Sequence, residues 1–273
     1  MTFEQALKTD NLLFDGAIYS FLQKSGIAPE ANLPLCNLTN PEIIKAGYAA
    51  YTLAGAEVIT AASRGADAVT LEANGIEQSS YDICCAAAQN AKEGSGNAFT
   101  LMALAPISIR ELTFDQIYQA YEPQIKAASD CKLDGIILEE MADIVQARAA
   151  YTAVREICSL PVIVSFQMEN GQLPDGTPAS VCAGIFQSMG ADCLGLNCRD
   201  NPLSLLGALR DFNTGSSLPV LVRPDTGKDI KLAPEEFKKA LQPLVDTGAV
   251  HIGGGRGSTP EHIRVLDSIT PPG

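Results

Sequence analysis

The sequence predicts one domain, residues 1–273, folded as a single (β/α)8 barrel of the TIM type. Three observations carry that expectation. Short apolar or β-branched runs alternate with longer helical patterns along the whole chain, as repeated βα units require. Several helical stretches close on the same glycine signal before the next run begins. A length of 273 residues with 46% hydrophobic residues buries a full core and matches what one α/β barrel needs.

About eight runs read as strands. In order they are Leu12-Leu13-Phe14-Asp15, Glu57-Val58-Ile59-Thr60, the run 99–104, Gly135-Ile136-Ile137-Leu138-Glu139, the run 161–166, Cys193 to Cys198, Pro219-Val220-Leu221-Val222-Arg223, and Ala249-Val250-His251-Ile252-Gly253. Nothing between them has the composition of an interdomain linker. The closing device recurs in Ala54-Gly55-Ala56-Glu57, Met189-Gly190-Ala191-Asp192 and Thr247-Gly248-Ala249, where glycine supplies a left-handed helix cap that reverses the chain. That recurrence favours a closed barrel over an open doubly wound sheet. An open sheet with a dinucleotide site wants a GxGxxG turn after its first strand, and Asp15-Gly16-Ala17-Ile18-Tyr19-Ser20 supplies none. The tail Thr270-Pro271-Pro272-Gly273 reads as a frayed end.

A net charge of -13 argues against nucleic acid and anionic membrane as partners, because both need clustered Lys and Arg. The N-terminus has no basic segment followed by an apolar one, and no stretch approaches the roughly 20 apolar residues of a membrane span, so a cytoplasmic protein is expected. Most of the eight cysteines, among them Cys84, Cys85, Cys158 and Cys182, sit in apolar helical patterns as small hydrophobes. With two histidines, His251 and His262, and no CxxC pair, neither a His-rich metal site nor a zinc-finger module is expected.

Barrel chemistry sits at the C-terminal ends of the strands. Those ends are polar here: Asp15, Thr60, Glu139 with Glu140, Ser165 with Gln167, Asn197 with Cys198, Arg223 with Asp225, and Gly253-Gly254-Gly255-Arg256-Gly257. Their convergence on one rim predicts a pocket for a small molecule. The last run leads into Ser258-Thr259-Pro260-Glu261, which reads as a helix cap, Pro at the first helical position and an acidic first turn. Exposed N–H groups of that glycine loop, with Arg256, are expected to form an anion site. The alternative is that Arg256 pairs internally with Asp15 or Glu139.

The blocks Leu13-Phe14-Asp15-Gly16-Ala17, Cys36 to Glu42, Ala54 to Thr60, Gly195-Leu196-Asn197-Cys198 and His251 to Ile263, in that order, resemble the homocysteine S-methyltransferase family over nearly the whole chain. The resemblance implies a barrel that methylates a thiol, with three cysteines holding zinc so that the substrate binds as thiolate. Cys198 matches the first of those ligands, whereas the positions of the other two are Gly255 and Arg256. It also implies that Asp15 and Glu139 contact an amino acid substrate. The Asn-Thr-Phe motif of relatives is replaced by Ala61-Ala62-Ser63, which points to an altered substrate.

Three readings follow. The first is a divergent methyltransferase in which Cys198, Asp15 and Glu139 are catalytic. Asn197, Thr60, Glu140, Gly254, Gly255 and Arg256 then bind substrate, zinc is held by Cys198 with carboxylates, and any corrinoid rides on a separate partner protein. The second is a metal-free barrel enzyme acting on a small carboxylate or phosphate held by Arg256 and the loop. The third is a barrel that binds a ligand without catalysis.

Overall fold

The structure, a computed structural model, describes residues 1–28, 32–109, 111–227 and 231–270; the end of the tail, 271–273, lies outside the described residues. Its centre is a parallel sheet of seven strands in sequence order: β1 (Val58–Thr60), β2 (Phe99–Leu104), β3 (Gly135–Met141), β4 (Val162–Gln167), β5 (Cys193–Asn197), β6 (Val220–Val222) and β7 (His251–Ile252). Each corresponds to an expected run, and β2 has the expected bounds. The first expected run is different. Leu13 bridges to Ile252 of β7 and Phe14 to Val58 of β1, both in parallel, as isolated bridges. The Phe14 N–H donates to the Ile252 carbonyl at 2.7 Å and the Asp15 N–H to that of Val58 at 3.0 Å. The segment therefore links the two edges of the curled sheet without making a strand of its own.

Parallel strands covered by helices are buried on both faces and read as continuous apolar runs. Period-two alternation then sorts them into two cores. One file faces outward against the helices: Ile59, Met102, Leu104, Ile136, Leu138, Val162, Val164, Leu194, Leu196, Val220 and Val222. The other fills the inside: Phe14, Val58, Leu101, Ala103, Ile137, Ile163, Cys193 and Leu221. The helix Phe3–Thr9 seals the lower end of that interior with Phe3, Ala6 and Leu7. His251 tethers it: its Nδ1 accepts the Leu12 N–H at 3.1 Å while Nε2 lies 3.2 Å from the Leu7 carbonyl. Burial lowers the His251 pKa to about 4, so the ring is neutral and structural.

Gly55, Gly190 and Gly248 have φ of +105, +85 and +108°, the left-handed caps expected before β1, β5 and β7. The last helix, Pro260–Leu266, has Thr259 as its cap, Pro260 in the first turn and Glu261 beside it. All eight cysteines are free thiols; Cys84 and Cys182 are buried, and Cys85 and Cys158 are half-buried. Among the described residues no helix is long and apolar enough to cross a membrane.

Candidate active site

Along several strands the inward file changes character toward its C-terminal end. Val58 is followed two residues on by Thr60, Ile137 by Glu139, Ile163 by Ser165 and Gln167, Cys193 by Gly195 and Asn197, and Leu221 by Arg223. The apolar interior is thus roofed by a polar layer, and above it opens a cavity of about 1340 Å³. Thr60, Glu139, Glu140, Gln167, Asn201 and Cys198 line it, as do Arg223, Asp225 and the loop residues Gly254, Gly255 and Arg256. The predicted residues therefore do converge, with Asp15 and Asn197 just beneath the cavity wall.

The floor is an ion chain. Asp15, 1% exposed, accepts the Thr60 N–H at 2.8 Å, the Thr60 hydroxyl at 3.1 Å and Arg223 Nη2 at 2.9 Å. Arg223 Nη1 reaches the Thr60 hydroxyl at 3.1 Å and Glu139 Oε1 at 3.4 Å. Glu139 Oε2 pairs at 3.3 Å with Arg64 Nη1, and Arg64 Nη2 donates to Glu140 Oε2 at 2.9 Å. Burial pushes Asp15 up to about 6 against the pull of Arg223 and Thr60. Burial works against the Arg64 charge, yet Glu140 and Glu139 outweigh it and hold its pKa above the ordinary value.

Two local features build this chain. In a regular strand Glu139 and Glu140 would face opposite ways. The register of β3 shifts between Leu138 and Met141, and Glu140 takes a left-handed φ of +54°, which brings both carboxylates to one guanidinium. Arg64 arrives from the Ala61-Ala62-Ser63 segment, which is pinned on all sides. The Ala62 N–H donates to Tyr48 Oη at 2.8 Å, Asn37 Nδ2 donates to the Ala62 carbonyl at 2.8 Å, and Ser63 Oγ donates to the Ala103 carbonyl at 2.9 Å. Sequence reasoning noted Arg223 on the rim but passed over Arg64, because nothing in the sequence joins residue 64 to residues 139 and 140.

The remaining site residues are equally committed. Asn197 Nδ2 donates to the Arg223 carbonyl at 2.7 Å, and its Oδ1 accepts the Ser165 hydroxyl. Cys198 is buried and its thiol donates to the Asn201 carbonyl at 3.4 Å; burial, with Asp225 adding to it, pushes that thiol up to about 12. The proton stays on at neutral pH, the opposite of an activated thiolate. Asp225 is pushed up to about 6, by burial first and by Glu140 next, and its Oδ1 accepts the Arg256 N–H at 2.7 Å.

The glycine loop corrects two expectations. Its N–H groups are not exposed: Gly253 donates to Val222, Gly254 to Asp15 and Gly255 to Pro224 carbonyls, Arg256 to Asp225 and Gly257 to the Ser20 hydroxyl. The glycines are there because the chain passes in close contact. A Cβ at 253 would stand 2.7 Å from Phe14 Cβ, and one at 254 would collide with Ser258. Nor does Arg256 close the site by pairing with Asp15 or Glu139; Arg223 does that, and the exposed Arg256 side chain has no ion-pair partner among the described residues.

A zinc ion does not fit this donor set. Among the described residues no three His, Cys, Asp or Glu side chains converge as metal ligands. The carboxylates expected to join Cys198 are matched by Arg223 and Arg64, whose positive charges oppose a dication. Position 255 is closed as well: a Cβ there would stand 2.5 Å from Asp225 Oδ1 and 2.8 Å from the Arg223 carbonyl oxygen.

A curled parallel sheet wrapped in helices, with polar strand ends converging under one cavity, defines an α/β fold of TIM-barrel-like layout. The homocysteine S-methyltransferase family model matches residues 12–270, and the chain belongs to that family of methyltransferase enzymes. It is 23% identical over 256 residues to methionine synthase of Mycobacterium leprae (strain TN), a match covering 84% of this chain and 21% of the relative, so the chain spans about a fifth of that protein's length. The crystal structure of the Escherichia coli homocysteine methyltransferase MmuM in its metallated form superposes with a TM-score of 0.85 at 20% identity, covering 97% of this chain and 98% of that one. The apo form gives 0.78 at 22% identity, covering 96% and 97%.

Proposed function

We propose that this protein moves a methyl group between a small substrate held in the cavity and a thiol or a separate corrinoid carrier protein, without a thiolate-bound zinc. The observation that carries this reading is the convergence of the family's site positions on one cavity while the zinc positions are filled by other chemistry. In this reading the segment 12–15 is the eighth stave, closing a (β/α)8 barrel, as its bridges to both sheet edges support.

The roles divide by position. Asp15, Thr60, Glu139 and Arg223 form a rigid floor, and Asn197 fixes the Arg223 backbone. A thiol or amine that receives a methyl group gives up a proton. Asp225 lines the cavity, and a carboxylate whose pKa is near 6 accepts a proton at neutral pH at little cost. A protein carrier is supported by Ile109, Phe114, Val145, Val181 and Leu203. All are exposed, each in a segment that follows a strand. The committed N–H groups of the glycine loop weigh against the reading in which that loop itself grips an anion.

The test pairs small thiols with methyl donors, a methylated corrinoid protein among them, and reads products by mass spectrometry. Transfer that falls about 100-fold or more in Asp225→Asn supports the assignment. No transfer with any pair refutes methyl transfer, and one zinc per purified chain that is lost in Cys198→Ala refutes its zinc-free form.

A further inference from the structure

Of the eight free thiols, Cys36, Cys84, Cys182, Cys193 and Cys198 are buried, which leaves Cys85, Cys131 and Cys158 in partial contact with solvent. Thiols that solvent reaches are the ones a redox partner can reach. The fold brings two of these three together. Cys85 lies on the helix Ser80–Gly94, and Cys131 caps the C-terminal end of the helix Phe114–Asp130.

Positions 81, 85 and 92 share one face of their helix, because steps of four and seven residues return to nearly the same direction. The two outer members of that face both hold the segment around Cys131. Tyr81 Oη donates to Asp130 Oδ2 at 2.9 Å, and Lys92 Nζ donates to the Cys131 carbonyl at 3.1 Å. Cys85 stands between them, and its thiol lies within hydrogen-bond reach of the Cys131 thiol and of Tyr81 Oη. Neither cysteine lines the cavity, so the pair has no part in the candidate active site. Among the described residues no third His, Cys, Asp or Glu joins them as a metal ligand.

We propose that Cys85 and Cys131 form a redox site, a dithiol that a small-molecule disulfide of the glutathione class converts reversibly to an intramolecular disulfide. Burial, and after it Cys85, push the Cys131 thiol up to about 11, so its proton stays on and the first attack falls to Cys85. The Cys85 thiolate attacks one sulfur of the oxidant, whose S–S bond breaks and releases a thiolate that takes a proton from water. Cys131 then gives its proton to solvent and displaces the second oxidant thiolate from Cys85. Two protein thiols are oxidised, one disulfide is reduced, and two small thiols leave. The new bond closes a loop of about 45 residues, and a cross-link of that span stabilises by restricting the unfolded chain.

Incubation of the full chain with oxidised glutathione at pH 8, followed by peptide mass spectrometry without reductant, tests this. The expected product is a Cys85–Cys131 cross-linked peptide that retains no glutathione, with a melting temperature raised by about 5 °C or more and restored by dithiothreitol. In Cys131→Ser glutathione should stay on Cys85, and in Cys85→Ser the Cys131 thiol should react about ten-fold more slowly than Cys85 does. No reaction at either cysteine of the parent protein, or glutathione retained on one of them, means that the thiols do not meet and overturns the proposal. A cross-link that leaves the melting temperature unchanged or lower also overturns it, because the bond would then strain the helix pair. The parent protein alone supplies these outcomes if a serine variant does not fold.

Discussion

Replacing Arg223 by Met removes the hub of the cavity floor and leaves its volume largely filled. Asp15 then keeps its two Thr60 hydrogen bonds but loses its 2.9 Å ion pair at 1% exposure. Glu139 loses a 3.4 Å contact and retains Arg64. Removing one partner of a buried pair costs about 3–5 kcal/mol. The sign of the pH dependence follows from Asp15. Its folded pKa is raised from 3.8 to about 6, so its proton favours the folded state, and stability is lost as pH rises through that window. Without Arg223 the folded pKa climbs further. At pH 8 the variant therefore carries the whole penalty, whereas at pH 5 Asp15 is mostly protonated and the deficit falls to about half or less. Urea unfolding followed by far-ultraviolet circular dichroism at both pH values measures this. Adding Asp15→Asn to the variant should recover most of the loss at pH 8. A deficit under about 1 kcal/mol at pH 8, or an equal deficit at the two pH values, would refute the view that this pair holds the floor together.

Other expectations follow from the same geometry. Asp225→Asn removes a carboxylate whose charged form burial disfavours, so it should stabilise the protein by about 1–2 kcal/mol at pH 8 and by little at pH 5, read in the same unfolding assay. Gly255→Cys with Arg256→Cys restores the family's cysteine pair on paper, but the Cβ at 255 meets Asp225 and the 223–224 backbone. The double variant should lose about 1–3 kcal/mol through overpacking and bind no stoichiometric zinc by elemental analysis. His251→Leu leaves the buried Leu12 N–H without its acceptor and should cost about 1–3 kcal/mol, with earlier hydrogen exchange in helix Phe3–Thr9. Arg64→Ala leaves the Glu140 carboxylate without the guanidinium 2.9 Å away and should cost about 1–2 kcal/mol in the same unfolding assay.

Much of this protein was legible in its sequence. Parallel strands buried on both faces read as largely apolar runs, so the runs 99–104 and 161–166 stand out in the sequence, and the glycines at 55, 190 and 248 mark turns that need positive φ. Because barrel sites lie where strands end, the polar strand ends from Thr60 to Arg223 mark the cavity in the sequence itself. The segment 12–15 reads as a strand because its residues are apolar, yet it makes only two bridges: pairing depends on neighbours distant in sequence.

What the tertiary structure alone decided is how the charges pair. Residue 15, residue 64, the pair 139–140 and residue 223 lie far apart along the chain, and which guanidinium meets which carboxylate depends on a shifted register in β3 and a pinned loop after β1. The glycine loop looked like an anion cradle because glycine permits exposed N–H groups. Folded, those N–H groups are turned inward to five partners, and the glycines serve close packing instead. Composition and period fix local structure, because they act on neighbouring residues. Ion pairing and hydrogen-bond satisfaction are long-range and mutually exclusive, so only the assembled fold assigns them.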